Sequence, residues 1–457
     1  MENNTRNSKA LRRHKRFVTC CSVVLVISIT VFCLAVGGIV GILNESGSKD
    51  KNNSSGFSQS GSNSQQGSDN KGKVKKVASA TVVNTGDILI HNPVLNGAKD
   101  SSGKYDFSAL FKPVSSYFKD ADLAVANLEL SLGGTKSGDY KGYPAFNTPD
   151  ELIDDLIDAN VNFLLTANNH CYDTGLYGLT RTVQVLKEKK IDYTGTRETA
   201  NEPRYVIKDV NGIKIGMVCY TYSAVNDSSR VSINGATIKK EAEPLINTFA
   251  YDKLDAFYTD AQNLINDMKA KGADCTVFYM HWGDEYRLKP NEYQKTMAQK
   301  LCNMGVDVIV GGHPHVIEPM ELLQAEGGDH TTVCLYSMGN SVSNQRREEL
   351  TGLCNTGHTE DGLLFYYTFD KYSDGTTVLT SVDVIPVWVD KVGQRYNAKY
   401  SMYPLENEND GAQKHSLSSA SAAKAKESYK RTKDIIEPGL SECQRALGCE
   451  VRFGRIK

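Results

Sequence analysis

From residue 77 onward, short apolar runs alternate with stretches whose apolar positions recur at helical spacing. Runs at 76–85, 123–126, 162–166, 275–280, 306–310 and 331–336 predict strands, and 212–222 predicts a strand or hairpin arm. Between them, 149–159, 176–189, 252–271 and 291–304 predict helices. Thr148 is placed to cap the first of these, with Pro149 at its first position, where a missing N–H costs little. Two further strands are predicted at 363–369 and 378–389, parted by the turn residues Ser373, Asp374 and Gly375. The polar tail from 406 shows helical character over 418–436. Strands and helices in alternation predict an α/β fold, layered about a largely buried sheet.

The residues before 77 follow a different rule. Arg12, Arg13, Lys15 and Arg16 precede an uncharged, mostly apolar run at 17–43. At about 1.5 Å per residue, that run crosses a hydrocarbon core of roughly 30 Å with length to spare. Its basic flank holds the N-terminal side in the cytoplasm, so everything beyond is exported. A cleaved signal peptide would have a shorter core ending in a small-x-small site, and none follows Leu43, so a retained anchor is predicted. Residues 44–76 are mostly Ser, Gly, Asn, Gln and Lys, which bury too little to order themselves. The predicted organisation is a cytoplasmic basic segment 1–16, a transmembrane helix 17–43, a linker 44–76, a folded extracellular domain 77–400 and a polar, partly helical segment 401–457. Such a chain is a single-pass protein of the cell membrane.

Charge and cysteine usage narrow the chemistry. A formal net charge of -2 over 457 residues lacks the basic face on which nucleic-acid binding depends, so no nucleic-acid partner is predicted. Of the eleven cysteines, Cys20, Cys21 and Cys33 lie in the apolar run, and several others sit inside predicted strands, where they read as buried thiols. Cys443 and Cys449 leave a local disulfide open, and no pair has the spacing of a structural zinc site.

The informative residues gather where strands stop. The first strand runs into Asp87 and His91, and the second into Asn127 and Glu129. The third runs into Asn168, Asn169, His170 and Asp173. The 275 run opens into His281, Trp282 and Glu285, and the 306 run into His313 and His315. Ligands of open α/β sheets bind beyond the carboxyl ends of the strands, so these side chains are placed to converge on one site. Of nine histidines, five occupy these positions. A lone histidine is more often structural, but five in equivalent places favour a shared centre. Imidazole and carboxylate without thiolate suit Mn, Zn or Fe. Gly311 and Gly312 are expected to let the backbone bend close to the ion. Trp282 and Tyr286 either stack on a substrate or pack, and Asp173 and Glu285 either orient histidines or face solvent. Asn340 follows Gly339 at a turn expected beside the site.

In order along the chain, Gly86 with Asp87, Asn127 with Glu129, Asn168 with Asn169 and His170, His281 with Trp282, Gly283, Glu285 and Tyr286, His313 with Pro314 and His315, and Gly339 with Asn340 resemble the CapA family. That family is named for capsular poly-γ-glutamate synthesis and belongs to the calcineurin-like metallophosphoesterases; the resemblance runs from about 77 to 345. It implies a layered metallophosphoesterase-like domain. It also implies Asp87 and His315 on a first metal, Glu129 bridging, Asn169, His281 and His313 on a second, and His170 protonating a leaving group. His91, Asn127, Asn168, Asp173, Trp282, Glu285 and Asn340 are left as further ligands or substrate contacts. Two positions depart from the superfamily pattern. Leu89 stands where a histidine usually follows the first aspartate, with His91 as the nearest substitute, and Glu129 stands in place of an aspartate. One or two divalent ions are therefore expected.

The resemblance further implies a role in synthesis or export of an anionic capsular polymer such as poly-γ-glutamate. The partners would be that polymer or its precursor and membrane-embedded synthesis subunits. Two readings of the site compete: a metal-dependent hydrolase, favoured by His170, and a non-catalytic scaffold or polymer-binding subunit, favoured by Leu89.

Overall fold

The computed structural model describes residues 74–225, 230–394 and 398–454. Strand β1 (Lys76–Ile88) shows why the fold is layered. Its side chains alternate in direction, so Ala80 and Val82 enter one apolar core and Val83 another. On one edge β1 pairs in parallel with β2 (Leu123–Leu128), followed by β3 (Phe163–Leu165) and β4 (Asp192–Thr194). On its other edge lie the antiparallel strands β15 (Asp361–Tyr372), β16 (Thr377–Val392) and β17 (Lys399–Pro404), while β14 (Asn340–Val342) pairs with its C-terminal end.

A second sheet runs in the order β12 (Ile317–Gln324), β13 (Thr331–Met338), β11 (Val308–Gly312), β10 (Cys275–His281), β6 (Ile213–Val225), β7 (Val231–Ile233) and β8 (Ala236–Thr237). Strands β5 (Val206–Val210) and β9 (Thr248–Ala250) also pair with β6. Val82, Val125 and Leu165 of the first sheet share one core with Met217, Val277 and Val310 of the second. Helices Asn92–Ala98, Glu151–Asp158 and Gly175–Lys189 cover the outer face of the first sheet through Leu95, Leu152 and Leu186. Helices Leu254–Ala270 and Glu292–Asn303 cover the second through Ile265 and Leu301. The layers therefore run helix, sheet, sheet, helix, where the hydrophobic pattern predicts a single sheet. Fully buried strands read alike whichever sheet they join, so periodicity cannot divide them.

The last helix, Ser419–Ala446, extends well past the predicted end at 436 and through Pro438. Ile436, Leu440 and Cys443 on its inner face enter the core between the sheets, and that burial outweighs the hydrogen bond the proline removes. The helix predicted from Pro149 begins instead at Glu151. Thr148 does not cap it: its buried hydroxyl makes no hydrogen bond, and its N–H donates to Ser131 O. The Asp150 carboxylate is gripped by Arg181 at 2.8 and 2.6 Å. At 291–304 the prediction holds, and Asn291 and Gln294 form a reciprocal capping box. Cys443 and Cys449 are free thiols, and Cys449 donates to Thr380 O at 2.9 Å.

The apolar run 17–43 and the linker up to residue 73 lie outside the described residues. No described helix is long and apolar enough to cross a membrane.

Candidate metal centre

Side chains from the ends of β1, β2, β10 and β11 meet between the two sheets. Asp87, near the end of β1, accepts from Asn127 Nδ2 at 2.7 Å through Oδ1. Its Oδ2 accepts the His313 backbone N–H at 3.1 Å and lies 3.4 Å from His315 Nδ1. Glu129 Oε1 stands 3.5 Å from His281 Nε2 and 3.8 Å from His315 Nε2. His281 Nε2 is also 2.7 Å from Asn169 Oδ1. Among the described residues, three sets of donor atoms fall within 4.8 Å of one another: Glu129, His281 and His313; Asp87, Glu129 and His315; and Glu285, His313 and His315. Glu129 is common to the first two sets, so it stands between them.

Close backbone approach makes this convergence feasible. A Cβ on Gly312 would stand 2.8 Å from Asp87 Oδ1, and one on Gly86 would stand 2.0 Å from Gly339 O. These glycines permit proximity, but the bend falls elsewhere. His313 and His315 themselves take positive φ, 95° and 57°. Left-handed backbone at non-glycine residues is costly and tends to persist where function holds it.

The electrostatics point to a cation. Glu129 is fully buried, and neither of its carboxylate oxygens has a hydrogen-bond partner; His313 Nδ1 is likewise buried and unpartnered. Lone pairs left in that state cost several kcal/mol unless something positive fills the gap. Burial, with Asp87 next, pushes the Glu129 carboxyl well above the usual range. Burial would raise Asp87 too, but His315 and then His281 bring it below its ordinary value. Burial lowers His281 to about 4, and burial with the neighbouring His281 pushes His313 well down. His315 goes the other way: burial opposes its protonation, but Glu129 and Asp87 lift it to about 9. The imidazoles of His281 and His313, both kept neutral, beside the unpartnered carboxyl oxygens of Glu129 form a donor set that suits a divalent transition metal. Glu129, His281 and His313 would hold one ion and Asp87, Glu129 and His315 a second. Asn169, drawn onto His281, adds an amide oxygen to the first.

His170 stands in none of these donor sets. Its Nδ1 is 2.7 Å from Asp173 Oδ2, which also accepts the Phe146 N–H at 2.7 Å. A carboxylate already accepting one N–H leaves Nδ1 as the donor, so proton exchange falls to Nε2. The Phe146 ring meets the His170 ring edge-on at 4.7 Å.

The remaining predicted residues divide by what they touch. Asn127 bridges Asp87 and His281, the latter at 3.4 Å from its Nδ2. Asn168 braces the turn, donating to Leu128 O at 2.8 Å and accepting the His170 N–H at 3.1 Å. Asn340 Oδ1 lies 3.1 Å from His315 Nδ1 and orients that ring. Glu285 is exposed, with a carboxylate oxygen near His313 and His315. His91 joins none of the donor sets; its Nδ1 accepts the Asn344 N–H at 3.3 Å and its ring abuts Phe146. Leu89, where the superfamily carries histidine, is buried in the apolar core. Of the two readings of Trp282, its surroundings favour packing: it is fully buried and donates its indole N–H to Tyr336 O at 3.0 Å. Two aromatic neighbours escaped the sequence pattern. Tyr222 near the end of β6 lies 4.8 Å from His313, and Phe146 faces His170. The rule of strand ends would have found Tyr222, but an aromatic there reads first as packing.

A layered, two-sheet α/β domain with a histidine and carboxylate cluster at its strand ends is consistent with a metallophosphoesterase-like class of protein. The family model for the bacterial capsule synthesis protein PGA_cap matches residues 81–345, and the chain belongs to that family, the CapA capsule synthesis proteins. It is similar to the capsule biosynthesis protein CapA of Bacillus anthracis, with 26% identity over 311 residues, 67% of each chain. It is also similar to the PGA biosynthesis protein CapA of Bacillus subtilis (strain 168), 28% identical over 281 residues, 60% of this chain and 65% of that one. The match thus spans about two thirds of the length of these relatives.

Proposed function

We propose that this chain acts in the synthesis or export of an anionic capsular polymer, as a metal-dependent hydrolase on that polymer or its phosphorylated precursor. The pairing of a cation cradle with a histidine outside it carries this reading. A site that only held a metal would have no use for His170, fixed by Asp173 through Nδ1 and free to exchange a proton at Nε2. A bound divalent ion would supply Lewis acidity and a water of lowered pKa. The chain's own residues do the rest. Asp87, Glu129, Asn169, His281, His313 and His315 would hold the cation, Asn127 and Asn340 orient Asp87 and His315, and His170 would deliver a proton to the departing group. By this reading the domain is tethered outside the cytoplasm by the run 17–43, among membrane-embedded synthesis subunits, where its polymer is made.

One observation favours a second reading, a scaffold that binds polymer without cleaving it. The histidine usual after the first aspartate is replaced by the buried Leu89, and His91 does not join the donor sets. His170→Ala separates the two. Hydrolysis predicts a fall of about 10²–10⁴-fold in polymer-directed activity with metal content unchanged. Unaltered polymer output in that variant would leave only the scaffold.

A further inference from the structure

Away from the metal centre, β4 and the segment that follows it border an open cavity of about 210 Å³ whose lining includes Thr194, Thr196, Arg197 and Tyr205 together with the carboxylates Asp192 and Glu202. Arg197 in its wall is only 4% exposed, yet its guanidinium makes a single hydrogen bond, Nη1 to Asn247 Oδ1 at 2.8 Å. That oxygen is shared, because Arg204 Nε donates to it at 3.1 Å. Arg197 Nε has no partner, and neither does the hydroxyl of Thr194 in the same wall.

The neighbouring carboxylates are committed elsewhere. Asp260 holds Arg204 in a two-bond fork and accepts from Tyr220. Glu202 pairs with Lys187 at 3.0 Å and accepts from Thr199. Asp192, also in the wall, is paired with Lys208. A guanidinium offers five N–H donors and stays charged, so burying it against one shared amide oxygen is unfavourable unless an anion completes the set. Burial and then Arg204 lower its pKa from the usual guanidinium range to about 10.

We propose that this cavity is a second ligand site, selective for a small oxyanion, either a phosphate or a carboxylate, bound by the Arg197 guanidinium and the Thr194 hydroxyl. Its position ties it to the fold's centre. Thr196 donates to Thr166 Oγ1 through its N–H at 2.9 Å and through its hydroxyl at 2.8 Å. Thr166 and Ala167 lead directly to Asn168, Asn169 and His170. The site is distinct from the metal centre and does not depend on how that centre works.

Calorimetric titration of the full chain, stripped of metal with a chelator so that the other centre takes no anion, tests the proposal. Inorganic phosphate is one probe and glutarate the other, and the stronger binder identifies the chemistry. Arg197→Gln is expected to weaken that binding by at least about tenfold, and Thr194→Val to weaken it less. Removing a poorly paired buried charge tends not to destabilise, so the Arg197→Gln chain is expected to melt at or above the wild-type temperature. Should its melting fall, Thr194→Val alone decides. Failure of both probes to bind wild type, or equal binding by wild type and Thr194→Val, would overturn the site and leave Arg197 as a structural side chain.

Discussion

Glu129 sits fully buried with both carboxylate oxygens unpartnered, a state that a metal-free interior disfavours. Glu129→Gln should therefore have opposite effects on two measurements. Metal affinity should fall by more than the roughly 10–100-fold typical of groups behind the ligands, while the melting temperature of the chelated protein should hold or rise. His315 gives the pH dependence. Raised to about 9 by Glu129 and Asp87 against the pull of burial, it is protonated in the metal-free protein at neutral pH. A metal must displace that proton, and any that the raised Glu129 carboxyl holds, so affinity should rise by at least about tenfold per pH unit up to 9, with at least the His315 proton released on binding. Titration calorimetry in buffers of different ionisation enthalpy counts that proton. At this scale the sequence was readable where the residue type is rare in a core: histidines at strand ends announce themselves. Trp282, Phe146 and Tyr222 do not, because an aromatic ring serves packing and recognition with the same surface.

Elements carry these residues to one place by approaching closely at their ends. A Cβ at Gly86 would press on the backbone oxygen of Gly339, which no side-chain rotation relieves. Gly86→Ala should therefore cost about 1–3 kcal/mol in chemical denaturation and loosen metal binding along with it. Helix and strand existence followed from spacing, as the capped helix Glu292–Asn303 shows. Boundaries followed less well. Thr148 and Pro149 have the composition of a helix start, but Arg181 holds Asp150, and the helix begins after it. Pro438 has the composition of a helix end, but Leu440 and Cys443 beyond it are buried between the sheets, and tertiary packing overrides local preference. Leu440→Ala should cost about 2–5 kcal/mol, a loss out of scale for a dispensable tail.

Across the whole folded unit, the division into two sheets was the part the pattern could not supply, since it rests on which buried faces meet. It also explains where the centre lies. Asp87 and Glu129 come from the first sheet, and His281, His313 and His315 from the second, so an ion between them ties the sheets together. Chelation should accordingly lower the melting temperature of the wild type, and His313→Ala should melt lower and respond less to the chelator than the wild type does. The most direct measurement is anomalous diffraction from crystals of this protein grown with Mn, Zn or Fe. A strong peak enclosed by Glu129, His281 and His313, with or without a second beside Asp87 and His315, is the predicted result. An anomalous map with no peak among those side chains, at full metal supply, would contradict the account.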